Sequence, residues 1–305
     1  MSETTRGEEL QQTISELTES SSLSGLFHEC EDGRPLPSAP VLSEIVDLCR
    51  AILFPGYYGK SDISLRTLPY HIGVAVERLQ ELLASQIEAA TACEESKKEG
   101  RQKAVAFIRR LPDLRRILAT DVQAAYNGDP AAESLGEIIS CYPVIKAVTN
   151  YRIAHELYLL DIPLIPRIIT EMAHSETGID IHPEAVIGHH FTIDHGTGVV
   201  IGATCIIGNY VKLYQGVTLG AKSFPLDENG HPIKGIPRHP ILEDRVIVYS
   251  NATVLGRITI AEGTVIGGNV WVTESTKPGE HIVQAKKRKG GFRDSVINPE
   301  DWGGL

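Results

Sequence analysis

The chain has no CxxC pair. Its five cysteines (Cys30, Cys49, Cys93, Cys141 and Cys205) are odd in number, scattered, and without metal-ligand spacing. That argues against a disulfide framework and suits buried thiols in a reducing compartment. No apolar run reaches the ~18 residues a membrane helix needs. Residues 1–25 are acidic and rich in Ser, Thr and Glu, with neither a basic n-region nor an apolar h-region. They do not read as a signal peptide, and the expectation is a cytoplasmic protein that contacts no membrane. Basic charge is also in deficit. With 29 Lys and Arg against 39 Asp and Glu, the formal net charge is −10, which argues against a surface for the phosphates of DNA or RNA. Glycine is scarce early: 9 of the 28 lie before residue 171 and 19 in the last 135 residues. The chain therefore changes character part-way along its 305 residues.

What is present before that change is helical periodicity. Val41, Ile45, Cys49 and Leu53 make one apolar stripe, and Ile72, Val76, Leu79, Leu83 and Ile87 a second. Residues 94–102 are charged and read as a loop or an exposed helix end. Pro112 fits a first helical position, ahead of Leu114, Leu118 and Val122. Asn127-Gly128 reads as a helix stop, and Asp129-Pro130 as a new start with Asp129 as N-cap. A last helix carries Ile145, Val148, Tyr151 and His155. Residues 39–178 thus read as an all-α domain behind a flexible N-terminal extension, 1–38.

After Gly178 the period becomes six. Ile187, Ile193, Ile201, Ile207, Leu213 and Leu219, then Leu242, Val248, Val254, Ile260, Ile266 and Val272, are all aliphatic. A six-residue period scatters side chains around a 3.6-period helix. It suits a parallel β-helix of hexapeptide repeats, with Gly at corners that need positive φ. The fold class is therefore α+β, an all-α region followed by a β-helix over 179–284 and a tail, 285–305. Two interruptions break the repeat. One is a two-residue slip containing Asp194-His195-Gly196-Thr197-Gly198; the other is an extruded loop, 221–240, ending in Arg238-His239. Solenoid insertions map to loops on the binding face, so chemistry is expected there.

The motifs GIDIHPEAVIG (178–188), FTIDHGTGVVIG (191–202), GVTLG (216–220), RHP (238–240) and the helical YRIAHELY (151–158) resemble serine O-acetyltransferase. The resemblance runs from about Asp121 through Val272. It implies a left-handed β-helix in trimers, often paired as hexamers, with the active site between adjacent subunits. It further implies transfer of the acetyl group of acetyl-CoA to the hydroxyl of L-serine, in cysteine biosynthesis, without a metal. His195 would be the general base, since an alcohol attacking a thioester must lose its proton and neutral imidazole can take it. The resemblance assigns Asp180 to orient that imidazole, Asp129 and Asp194 to hold the amino-acid ammonium, and Arg238 and His239 its carboxylate. Asp129 also reads as a plain cap. Gly220, Ala221, Ser250 and Gly268 fit the family's backbone cradle for CoA, and equally fit solenoid corners. The run Lys286-Lys287-Arg288-Lys289 could draw in CoA phosphates.

The sequence departs from the common family pattern in four places, one being an insertion before Arg238 longer than in the enteric bacterial branch. Ala203 stands where Glu is common, HIVQAKKRK follows the last coil, and the chain ends in Leu305 where many members end in Ile. In the family that terminal carboxylate docks in O-acetylserine sulfhydrylase, so the tail is a candidate for the same partner. Three other functions compete. One is acetyl transfer to another small hydroxyl or amine. A second is a β-helical zinc hydratase, which needs three converging histidines. The third is a non-catalytic scaffold.

Overall fold

The computed structural model describes residues 3–19, 21–28, 36–59, 62–91, 96–223 and 225–284. The chain divides into two units, Met1–Leu36 and Pro37–Leu305. The first holds helix α1 (Glu3–Leu17), so the expected extension contains regular structure. In the second unit, helices α2 (Ala39–Leu53), α3 (Leu68–Ala90), α4 (Ser96–Gly128), α5 (Leu135–Cys141), α6 (Pro143–Tyr158) and α7 (Ile165–Thr177) precede, among the described residues, fourteen short strands. Among the described residues no helix is long and apolar enough to cross a membrane.

The two apolar stripes fall on α2 and α3, where Ile45, Cys49, Leu53, Leu79, Leu83 and Ile87 are buried. Residues 96–102 form the start of helix α4, the second of the two readings the sequence left open. Pro112 lies inside the helix rather than at a first helical position, which corrects the sequence reading. An interior proline forfeits one i→i−4 bond, but Ala104, Phe107, Leu111, Leu114, Leu118 and Val122 bury a continuous face across it. That burial, about 1.5–3 kcal/mol for each large side chain, outweighs the lost bond and keeps one helix running. The stop at Gly128 is as expected. Asp129, however, caps no helix; the α5 N-cap is Ser134, which accepts from Glu137 N at 3.1 Å. Asp129 instead closes a turn, taking Ala131 N on Oδ1 at 2.8 Å.

The six-residue period builds a parallel β-helix with three flat faces. Face one stacks β1 (Asp180–Ile181), β4 (Val200–Ile201), β7 (Thr218–Gly220), β10 (Thr253–Leu255) and β13 (Trp271–Val272). Face two stacks β2 (Val186–Ile187), β5 (Ile206–Ile207), β8 (Ile241–Leu242) and β11 (Thr259–Ile260). Face three stacks β3 (Thr192–Asp194), β6 (Lys212–Tyr214), β9 (Ile247–Val248), β12 (Val265–Ile266) and β14 (His281–Ile282). The register stacks Ile181, Ile201 and Leu219 directly. All twelve repeat anchors are buried. Cys205 is inside the coil and Cys49 inside the helices, and burial pushes both thiols up to about 12.

A solenoid leaves an open strand edge at its first coil, which must be covered. Helices α4 and α6 cover it. Tyr151 Oη donates to Ala185 O at 2.5 Å, and Arg152 donates to Ile187 O at 3.1 Å and Gly188 O at 2.7 Å. Arg152 is held in turn by both oxygens of Asp121, at 2.7 and 3.1 Å, and Asp121 Oδ1 also accepts from Phe191 N at 3.0 Å. Both charged groups are buried, so they are tolerable only as a pair with these further bonds. This lock fixes where α4 ends relative to β3 and β6.

Candidate active site

The sequence singled out residues that the fold sorts onto two corners of the coil. The first corner joins face three to face one. Here the two-residue slip turns the chain through His195 at φ 59°, Gly196 at 97° and Gly198 at 81°. A Cβ on Gly196 would overlap Ile179 Cδ1, so the glycine is required by close approach as well as by φ. The turn throws the His195 side chain outward, 76 % exposed, with its Nε2 3.8 Å from Asp194 Oδ1. Lys212 Nζ lies 3.1 Å from Asp194 Oδ2 and donates to Gly128 O at 2.6 Å. That second bond brings the end of α4, and with it Asp129, to this corner. Tyr142 Oη donates to Asp129 Oδ2 at 2.6 Å. The hydrogen bonds from Tyr142 and Ala131 hold the Asp129 carboxyl below its usual range, aided by Lys212 and His195 nearby. The same bond pushes the Tyr142 phenol up to about 12, so it stays a donor. Asp129, Asp194 and His195 are thus brought to one corner.

The second corner joins face one to face two, where the extruded loop leaves after β7 and returns at β8. Residues 225–237 of the loop are exposed, but its end is pinned. Thr204 Oγ1 accepts from Arg238 N at 2.9 Å and His239 N at 3.1 Å. Thr204 N donates to His239 Nδ1 at 3.1 Å, which makes that nitrogen the acceptor and leaves Nε2 to carry the proton. The ring lies over Gly202, where a Cβ would overlap it. His182, at the end of β1, likewise accepts on Nδ1 from Glu184 N at 3.1 Å. Burial, then Arg167 and Arg238, push His182 down to about 4. Burial, then Arg238, His182 and Arg257, push His239 down to about 4. Both rings are therefore neutral donors at pH 7, set among guanidinium groups, which is an environment for an anion.

Asp180 does not pair with His195: no hydrogen bond or ion pair joins them within the chain. Its Oδ1 lies 3.9 Å from Arg167 Nη1, and Arg167 also pairs with Glu171. Asp180 therefore keeps company with the guanidinium that faces His182. Glu171, His174 and Asp180 bring ligand-type atoms within 4.8 Å of one another, but Arg167 already pairs with both carboxylates. The residues proposed for CoA divide between the corners. Ser250 and Gly268 are adjacent on the His195 side, where a Cβ on Gly268 would sit 3.2 Å from Ser250 O. Gly220 and Ala221 are on the loop side, and Gly220 is explained by Leu255, 2.8 Å from a Cβ there. The Lys286–Lys289 run and the Leu305 tail lie outside the described residues.

Sequence reasoning missed Tyr142, Lys212 and His182. Lys212 carried a readable signal, an isolated cation at an outward strand position beside the buried Leu213.

No protein-family model matches the chain. A protein of Synechococcus elongatus named "Serine acetyltransferase, plasmid" is 49 % identical over 272 residues, 85 % of each chain. The serine acetyltransferase of Bacillus subtilis is 40 % identical over 181 residues, 57 % of this chain and 79 % of that one. Among solved structures, serine acetyltransferase 1 of Entamoeba histolytica in complex with L-cysteine superposes with a TM-score of 0.72 at 38 % identity. The match covers 79 % of this chain and 86 % of that one.

Proposed function

The chain belongs to the serine acetyltransferase family, and from that premise we propose that it moves the acetyl group of acetyl-CoA onto the hydroxyl of L-serine, in cysteine biosynthesis in the cytoplasm. We further propose that the site is assembled from two copies of the chain, in a trimer or a pair of trimers. The observation that carries this reading is the sorting of a zwitterion's requirements onto two corners. Asp129 and Asp194, beside the exposed His195, suit an ammonium; Arg238, with the neutral donors His239 and His182, suits a carboxylate. A base that is 76 % exposed also needs a cover that excludes water before it can work on a thioester. Docking the loop corner of one copy on the His195 corner of the next supplies that cover. It also brings Asp180, Arg167, Arg238 and His239 from the neighbour to face His195. On this reading the imidazole is oriented by a neighbour's Asp180.

The chemistry then balances with side chains alone. His195 accepts the serine hydroxyl proton as the oxygen attacks the thioester carbon. The C–S bond breaks, and the imidazolium returns the proton to the departing sulfur, giving O-acetylserine and CoA. Backbone groups along the Ser250–Gly268 corner, on the His195 side, are the proposed rest for the pantetheine arm. The C-terminal tail is kept as the proposed contact with O-acetylserine sulfhydrylase.

The acceptor is tested by CoA release from acetyl-CoA with L-serine, L-homoserine and a simple sugar alcohol. A preference for L-serine of about two orders of magnitude in kcat/KM is expected, because buried polar partners left unpaired penalise a misfit. Equal rates with the sugar alcohol would remove the amino-acid assignment.

A further inference from the structure

Lys212 has no role in the chemistry just described, yet both carboxylates of the ammonium site depend on it. It projects from the outward position of β6 and is half-buried. Its Nζ has three partners in fixed directions: Gly128 O at 2.6 Å, Asp194 Oδ2 at 3.1 Å, and the Tyr214 ring, whose centroid is 4.6 Å away. Tyr214 is itself stacked on Tyr249 with ring centroids 4.8 Å apart and planes at 10°, so the aromatic platform is held as well. An ammonium has three donors and no acceptor, and here each faces a partner. Gly128 is the last residue of α4 and adjoins Asp129. Lys212 therefore ties the backbone that carries one carboxylate to the side chain of the other. Tyr142 holds Asp129 from the opposite side.

We infer that Lys212 is a positioning residue for the amino-acid substrate. It fixes the separation of Asp129 and Asp194, and it leaves that pair with a single net negative charge to meet a single ammonium. The inference rests on the assignment of these two carboxylates to the serine ammonium. Without Lys212, two carboxylates on one site would repel and one would favour its protonated form. The turn after α4 would also lose its tie to the β-helix. Both consequences weaken binding of the amino acid and leave the proton transfer at His195 in place. The signature is a rise in serine KM at nearly constant kcat.

The test is steady-state kinetics of the full-length enzyme carrying Lys212→Met or Lys212→Arg, with thermal melts recorded by circular dichroism. Lys212→Met is expected to raise the serine KM about tenfold, with kcat within about threefold and the acetyl-CoA KM unchanged, the pattern of lost ground-state binding. Lys212→Arg, which keeps the cation, should restore most of the affinity. If Lys212→Met melts early, Lys212→Gln carries the same comparison. In a double-mutant cycle with Asp194→Asn, the two effects should fall well short of additive, because the residues act through each other. A serine KM that is unchanged or lowered by Lys212→Met overturns the inference. The single variants Asp129→Asn and Asp194→Asn separate the causes of failure. If they raise the serine KM while Lys212→Met does not, the positioning role alone is wrong. If they too leave it unchanged, the ammonium site itself is misassigned.

Discussion

His195→Ala is expected to lower kcat by about 10²–10⁴-fold, the span general-base removal commonly covers, with serine and acetyl-CoA KM values changed far less. The reason is positional. His195 sits at φ 59° on the outside of a corner, and its side chain is 76 % exposed. Truncation therefore removes no core packing, and the variant should melt with the wild type. That separation makes the prediction sharp, because a loss of rate cannot be assigned to a loss of fold. Asp194 lies 3.8 Å away and could orient or neutralise the ring, but a carboxylate paired with Lys212 is a poor replacement base. A variant that kept more than about a tenth of wild-type kcat would place the proton transfer elsewhere, since a positioned base is worth at least a hundredfold.

The second large effect is on stability. Asp121→Ala should destabilise the fold by about 3–5 kcal/mol, the cost of stranding a buried charge whose partner is removed. Asp121 and Arg152 are both nearly inaccessible, at 1 % and 4 %. Removing the carboxylate leaves the guanidinium with only the Ile187 and Gly188 carbonyls and no counter-charge, and frees the Phe191 amide at the first coil. Asp121→Asn keeps the shape and some of the hydrogen bonding, so its loss should be smaller. Urea unfolding of the wild type and both variants at fixed protein concentration checks the order. An Asp121→Ala protein as stable as wild type would show that the helices do not close the solenoid through this pair.

The parts of this fold that were legible in the sequence are the local ones. The six-residue period gave the coil because each anchor, from Ile187 to Val272, must enter the same interior whatever the rest of the chain does. The stripes on α2 and α3 were legible for the same reason. Pro112 misled because a proline's local preference says nothing about the long apolar face that carries α4 across it. Asp129 misled because Asp-Pro after Asn-Gly suits a helix start and a tight turn equally well. The Asp121–Arg152 lock was out of reach, since its partners lie 31 residues apart and its other acceptors more than 30 further on. Helix α6 is buried on nearly every side, polar Thr149 and Asn150 included, and that burial, visible only in the fold, is what obliges Arg152 to find a partner.

In the site, sequence motifs brought out the residues at the coil corners but could not say which corner faces which. Asp129, Asp194 and His195 meet inside one chain, whereas Asp180 turns to Arg167. The proposed shared site rests on that division, and it is tested most directly by complementation. His195→Ala and Arg238→Ala chains, each expected to be nearly inactive alone, are unfolded together, refolded as mixed oligomers and assayed for O-acetylserine formation. If one copy supplies the base and its neighbour the carboxylate clamp, some interfaces in the mixture carry neither substitution, and activity should recover to about a quarter of wild type for random assembly of a two-copy site. Mixed oligomers that stay as inactive as either parent would mean that His195 and Arg238 serve the same site from the same chain.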